Sequence, residues 1–172
     1  MPDGDPKSGI EGKYRGIMRA CNAVDYDEQI MLACKLLREN SDIRQEWAAK
    51  AKHLLVDEYQ DINTAQFDLI RLLSEGQTEG VYVVGDDDQS IYGWRGGSPK
   101  FLRRFRADFG ETARVESLPT CYRCTTHVLQ GAAALVSSFN PDRMPNRFRK
   151  ASGPVGQKSS AMTFQASKRK RR

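Results

Sequence analysis

No apolar run in this 172-residue chain approaches the roughly 20 residues of a membrane-spanning helix. The opening residues, MPDGDPKSG, have no apolar stretch of the kind a secretory leader needs. Cysteine is scarce, with four in the whole chain. That number does not make a disulfide scaffold and points to a reduced, cytoplasmic protein without membrane partners. Hydrophobic residues reach only 39%. A core is within reach for one domain or parts of two, but the ends are expected to stay outside it.

Charge of one sign is missing locally, although not overall. Residues 1–97 carry a net charge of −7, and residues 98–172 carry +12. The last five residues, KRKRR, equal the whole formal net charge of +5. The chain therefore has an acidic first half and a basic second half, a distribution compatible with a polyanion partner. The same tail is equally compatible with a solvated, frayed end.

Residues 1–12 are rich in Pro, Gly and Asp and are expected to be unstructured. Asp25 and Glu28 have the spacing of a capping box. Ile30, Met31, Cys34, Leu36 and Leu37 then predict one apolar helical face. A second helix over 43–52 is expected to bury Ile43 and Trp47. Leu54-Leu55-Val56 reads as a parallel strand buried on both faces. Asn63 and Gln66 open a helix with Phe67, Ile70 and Leu73 on one face, and Gly76 suits its end. Val81–Val84 repeats the earlier pattern of an apolar run followed by acids. The interval from Leu54 to Val84 has the length of one βαβ unit. A basic helix over 99–109, a strand over 114–118 and a helix capped by Thr125 or Thr126 are expected next. The face of that last helix would be Val128, Leu129, Ala132, Leu135 and Val136. No compact element is expected after Asn140.

Ligands of open parallel sheets bind beyond the carboxyl ends of the strands. Here two neighbouring strands end in acids, Asp57-Glu58 and Asp86-Asp87-Asp88. One such end would pass as a helix cap or a turn, whereas two on one βαβ unit suit Mg²⁺, which takes one or two carboxylates. Glu58 could polarise a water, and Gln89 could bond that water or a phosphate oxygen. Tyr92 and Trp94 could stack on bases of a single strand or serve as core or turn aromatics. Arg95 suits either a phosphate or coupling contact or a surface salt bridge.

LLVDEYQDIN (54–63) resembles motif II, the Walker B segment, of superfamily 1 DNA helicases of the UvrD/Rep/PcrA type. VVGDDDQSIYGWRG (83–96) is similar to motif III, and SLPTCYRCTTHVLQGAAALV (117–136) to motif IV with its following helix. DYDEQI (25–30) resembles the segment that precedes motif II. The likeness runs over residues 13–150. It implies an α/β fold: an incomplete RecA-like P-loop NTPase motor domain with a parallel sheet. It further implies that Asp57 binds the Mg²⁺ of ATP, Glu58 is the general base and Gln89 senses the γ-phosphate. Tyr92 and Trp94, with Arg95 beside them, would contact single-stranded DNA. Tyr122 would pack on the adenine and Arg123 would act as an arginine finger. Asp86 to Asp88 would face the nucleotide while Tyr92 and Trp94 face the DNA.

The resemblance also divides the chain. Residues 1–24 would be a disordered start and the end of an inserted helical subdomain, and 25–117 the later half of a first motor domain. Residues 118–150 would begin a second motor domain, and 151–172 would be a flexible basic tail. The phosphate cradle GxxxxGK[ST] does not occur in these residues. The nearest stretch, Gly9-Ile10-Glu11-Gly12-Lys13-Tyr14, has the wrong glycine spacing and lacks the hydroxyl. The chain thus reads as an internal slice of a 3′–5′ helicase that acts on single-stranded DNA and lacks an N-terminal segment. It is expected to bind ATP and Mg²⁺ weakly and to be inactive alone. The alternative is a catalytically dead module that binds DNA or a partner protein. A metal-dependent phosphoesterase would need ligands that the second half does not supply. A zinc site at Cys121, Cys124 and His127 would lack its fourth donor.

Overall fold

Two short strands that run in the same direction organise the molecule. In the computed structural model, which describes residues 6–75, 80–110, 113–144, 149–150 and 162–165, β1 is Leu54–Val56 and β2 is Val81–Gly85. They pair parallel, with Leu54 opposite Val81 and Val56 opposite Val83, as the βαβ length predicts. The connecting helix α4, Thr64–Leu73, starts with a complete capping box between Asn63 and Gln66. Gly76 lies outside the described residues.

The other helices lie to either side in sequence: α1 Pro6–Ala20, α2 Tyr26–Glu39, α3 Ser41–Lys50, α5 Lys100–Arg103, α6 Phe105–Phe109 and α7 Thr126–Phe139. The remaining strands are β3 Arg114–Ser117, β4 Thr120–Cys121, β5 Arg149–Lys150 and β6 Met162–Gln165. The larger sheet has the order β1-β2-β6-β3, with β6 antiparallel to both neighbours. β4 and β5 form a separate parallel pair.

The core gathers Tyr59, Ile62, Ile70, Val81, Val83, Phe101, Leu102, Phe105 and Phe109, flanked by Leu54, Val56 and Phe67. Alternation along β2 puts Val81, Val83 and Gly85 on the buried face. Phe105 stacks on Phe109 and meets Tyr59 edge-on. The Tyr59 hydroxyl is buried without a hydrogen-bond partner among the described residues. Burial and then the Asp108 charge push its ionisation far above the ordinary phenol value.

Several expectations are corrected. Residues 6–12 belong to α1 rather than to an unstructured start; proline fits a first helical turn, where its missing N–H would have had no partner. On α2, Asp25 accepts from the Glu28 N–H as predicted, but only Cys34 and Leu37 are buried, and Met31 and Leu36 are exposed. Trp47 lies half in solvent under the Lys50 ammonium; Ala48 is the buried residue of α3. β1 is an edge strand, and Leu55 is 76% exposed on its open face. The expected basic helix is broken at Arg104 into α5 and α6. Among the described residues, helix α7 fully buries no residue of its apolar face: Val128 and Leu135 are exposed, and Leu129 and Val136 are half-buried. β5 and β6 both form after Asn140: backbone pairing recruits two short segments set among polar residues. Among the described residues no helix is long and apolar enough to cross a membrane.

The orphaned hydroxyl and the stacked ring give opposite expectations. Tyr59→Phe should leave stability unchanged or raise it by about 1 kcal/mol, since an unpaired buried hydroxyl is a cost. Phe105→Ala should lose about 3–5 kcal/mol. Chemical denaturation of the two variants measures both; a large loss in Tyr59→Phe would show that the hydroxyl has a partner.

Candidate nucleotide and nucleic-acid site

The chain leaves β1 through Asp57 and turns sharply at Glu58, whose backbone is left-handed (φ 50°, ψ 41°). Such a conformation is uncommon outside glycine and is maintained only when surrounding contacts hold it. The holding group is Gln60, in the short 3-10 turn Tyr59–Asp61 and only 1% exposed. Its Nε2 donates to Glu58 Oε2 at 2.7 Å and reaches Asp61 Oδ2 at 3.4 Å. Its Oε1 accepts from the Asp86 N–H at 3.0 Å, and its backbone carbonyl accepts from Ser90 Oγ at 3.3 Å.

Asp86 continues the chain of bonds. Its Oδ2 accepts from Gln89 Nε2 at 2.7 Å and its Oδ1 from the Asp88 N–H at 3.1 Å. Glu58, Gln60, Asp86 and Gln89 are thus linked in series across the tips of β1 and β2. Gly85 makes room for this: a Cβ there would lie 2.8 Å from Gln60 Oε1. Burial is the chief cause pushing the Asp86 carboxyl above its ordinary range. Asp61 is raised too, by burial first and by the Glu58 charge next.

Asp57 is exposed, and its Oδ1 accepts from the Glu58 N–H at 2.9 Å. Asp87 and Asp88 are not free carboxylates. Asp87 Oδ2 accepts from Arg103 Nε at 3.1 Å and from the Met144 N–H at 2.9 Å. Asp88 is clasped by Arg143 through both of its oxygens, and Asn140 Nδ2 reaches its Oδ1 at 3.3 Å. The expectation that all three acids of this loop face a nucleotide is corrected: two of them anchor the segment after α7. The three carboxylates do cluster, but arginines already pair with two of them, Asp87 and Asp88. Cys121, Cys124 and His127 do not form a metal-ligating cluster among the described residues.

The loop after Gln89 folds back on the turn after β1. Ser98 donates to the Ile62 carbonyl, and a Cβ on Gly97 would lie 2.8 Å from the Asp61 carbonyl. Gly96, at φ 81°, closes the 3-10 turn Gly93–Arg95. This holds up a small aromatic platform. Trp94 is 75% exposed, Tyr92 is also exposed, and the Arg95 guanidinium carbon lies 4.4 Å from the Trp94 ring and 5.6 Å from the Tyr92 ring. A groove of about 960 Å³ runs alongside, lined by Asp25, Tyr26, Asp27, Glu58, Asp61, Asn63, Gln66, Tyr92 and Arg95. Glu58, Tyr92 and Arg95 therefore open onto one cavity, and Gln89 is tied to it through Gln60. Tyr122 and Arg123, both exposed, sit on the turn after β4 and do not line it.

Residues 8–110 match the family model described as the UvrD/REP helicase N-terminal domain. The chain belongs to the UvrD/Rep helicase family. It is 45% identical over 130 residues to the ATP-dependent DNA helicase Rep of Salmonella typhimurium, covering 76% of this chain and 19% of that protein. DNA helicase II of Escherichia coli is 41% identical over 132 residues, with 74% of this chain and 18% of the relative covered. The ATP-dependent DNA helicase PcrA of Leuconostoc citreum is 35% identical over 134 residues, covering 78% and 18%. The chain thus spans about a fifth of the length of these relatives.

Two residues of this helicase-family site escaped the sequence reading. Gln60 sits inside DEYQD, and a polar residue in a short turn gives no periodic sign of burial. Arg143 lay in a stretch read as featureless. A double-mutant cycle tests the Gln60 contact. Gln60→Ala should cost about 1–3 kcal/mol by removing the bond to the Asp86 N–H, and Gly85→Ala about the same by overpacking. The double variant should cost less than the two losses combined. Strict additivity in denaturant melts would contradict the contact.

Proposed function

We propose that this chain contributes part of an ATP-dependent DNA helicase motor of the 3′–5′ type, joining a nucleotide-sensing strand tip to a platform for single-stranded DNA. The observation that carries this reading is the series of bonds Glu58–Gln60–Asp86–Gln89, with Glu58, Tyr92 and Arg95 opening onto one groove. In this reading Asp57 would hold Mg²⁺. An exposed carboxylate with one oxygen engaged by a neighbouring N–H suits a cation that takes one or two carboxylates and keeps water in its remaining positions. When bound, Mg²⁺ supplies charge neutralisation at the phosphate oxygens of ATP.

The chain's own residues do the rest. Glu58 takes the proton of an attacking water, and its orientation is fixed by the Gln60 amide. Gln89 presents a carboxamide that can exchange Asp86 for a phosphate oxygen, and the exchange would be felt along the loop that carries Tyr92 and Trp94. The aromatic rings stack on bases without regard to sequence, as a translocating motor requires. Tyr122 packs on the adenine, and Arg123 acts as the finger that stabilises transferred charge. Arg123 is exposed on the turn after β4, which leaves its guanidinium open to solvent.

GxxxxGK[ST] is not among these 172 residues. The chain by itself is therefore expected to bind single-stranded DNA without turning over ATP, which also describes a DNA- or partner-binding module of helicase descent. Fluorescence anisotropy with a series of fluorescein-labelled oligothymidines should report salt-sensitive binding. Trp94→Ala should weaken it about tenfold or more, the loss expected for one stacked base at roughly 1–3 kcal/mol. Binding that is unchanged in Trp94→Ala would refute the platform. In a complete motor that carries this segment, ATP turnover that survives Glu58→Gln would refute the assignment of the base.

A further inference from the structure

The turn that carries Tyr122 and Arg123 is bracketed by two thiols. Cys121 ends β4 and is 5% exposed, whereas Cys124 is partly exposed and stands just before Thr125, the N-cap position of α7. The Cys124 N–H donates to Cys121 Sγ at 3.4 Å, which folds the four residues into a tight loop. Both sulfurs are free thiols. We propose that Cys121 and Cys124 form a redox-active dithiol that a small-molecule disulfide such as oxidised glutathione converts to an intramolecular bridge closed around Tyr122 and Arg123.

Accessibility assigns the order of events. Cys124 is the more exposed of the two residues, so it is the thiol that oxidised glutathione meets first. Its thiolate attacks one sulfur of oxidised glutathione, the glutathione S–S bond breaks, and the first glutathione leaves as a thiolate that takes up a proton. The Cys121 thiolate then attacks the Cys124 sulfur of the mixed disulfide and expels the second glutathione. Two protein thiols are oxidised, one glutathione disulfide is reduced to two thiols, and the electron count balances. Cys121 suits the resolving role. Burial alone would raise its thiol, but the N–H groups of Cys124 and Arg123 and the Cys124 side chain outweigh that and draw it below the ordinary value. Intracellular disulfides of this kind are transient and sense the redox state. The proposal does not rest on the motor reading; only the meaning of clamping Arg123 does.

The chain provides a convenient readout, because trypsin cleaves after Arg123, inside the proposed ring. After treatment of the full chain with oxidised glutathione, alkylation and digestion, peptides 115–123 and 124–143 should appear joined, with no glutathione left on Cys124. Cys21 and Cys34 share the separate peptide 20–35 and serve as the internal reference. In Cys121→Ser, Cys124 should retain glutathione, since nothing resolves it. In Cys124→Ser, Cys121 should stay unmodified while the exposed Cys21 reacts. The proposal is overturned if the unaltered chain keeps glutathione on Cys124, or leaves both thiols alkylated while Cys21 is oxidised. It is overturned equally if Cys121 in Cys124→Ser reacts as fast as Cys21.

Discussion

One buried carboxamide sets the geometry of everything at the strand tips. A glutamine shut away from water must satisfy both ends of its amide. Gln60 does so with partners that follow two different strands: the Glu58 carboxylate after β1 on one side and the Asp86 N–H after β2 on the other. The left-handed turn at Glu58 and the absence of a side chain at Gly85 are the local conditions for that arrangement. Adjacent parallel strands would splay their following loops if nothing joined them. Here the amide makes the two acidic tips one unit, and the unit extends through Asp86 to Gln89.

The second constraint is electrostatic, and it explains the lopsided charge of the sequence. Three consecutive aspartates could not sit at the end of a buried strand without compensation. Arg103 and Arg143, both from the basic half, take up Asp87 and Asp88. Part of the basic excess is therefore internal, spent on folding the acidic loop rather than on a polyanion. The remaining cation of the loop, Arg95, lies over the exposed rings of Tyr92 and Trp94. The opposition within VVGDDDQSIYGWRG resolves in space: the acids turn inward onto arginines and a glutamine, and the aromatics turn outward.

The βαβ unit was legible because its signals are local: apolar runs cut off by acids, and a capping box at Asn63 and Gln66. The two acid-tipped strand ends were legible for the same reason. Burial was not. Leu55, Trp47 and the α7 face carry apolar side chains at plausible spacings, yet a pattern does not say whether anything covers it. β6 escaped notice because strand pairing is a contact between distant backbones, and the segment that supplies it sits among polar residues. Gln60 and Arg143 were missed because a buried polar group is recognised by its partners, and those lie 26 and 55 residues away in sequence.

The claim on which this account turns is that the Gln60 amide holds the Asp86 N–H and thereby joins the two strand tips. Residue-resolved hydrogen exchange at Asp86 tests it most directly. The account predicts exchange as slow at Asp86 as at the paired amides of β2, and faster exchange at Asp86 once Gln60 is replaced by alanine. An Asp86 amide that exchanges in the unaltered chain at the rate of an exposed loop would contradict it.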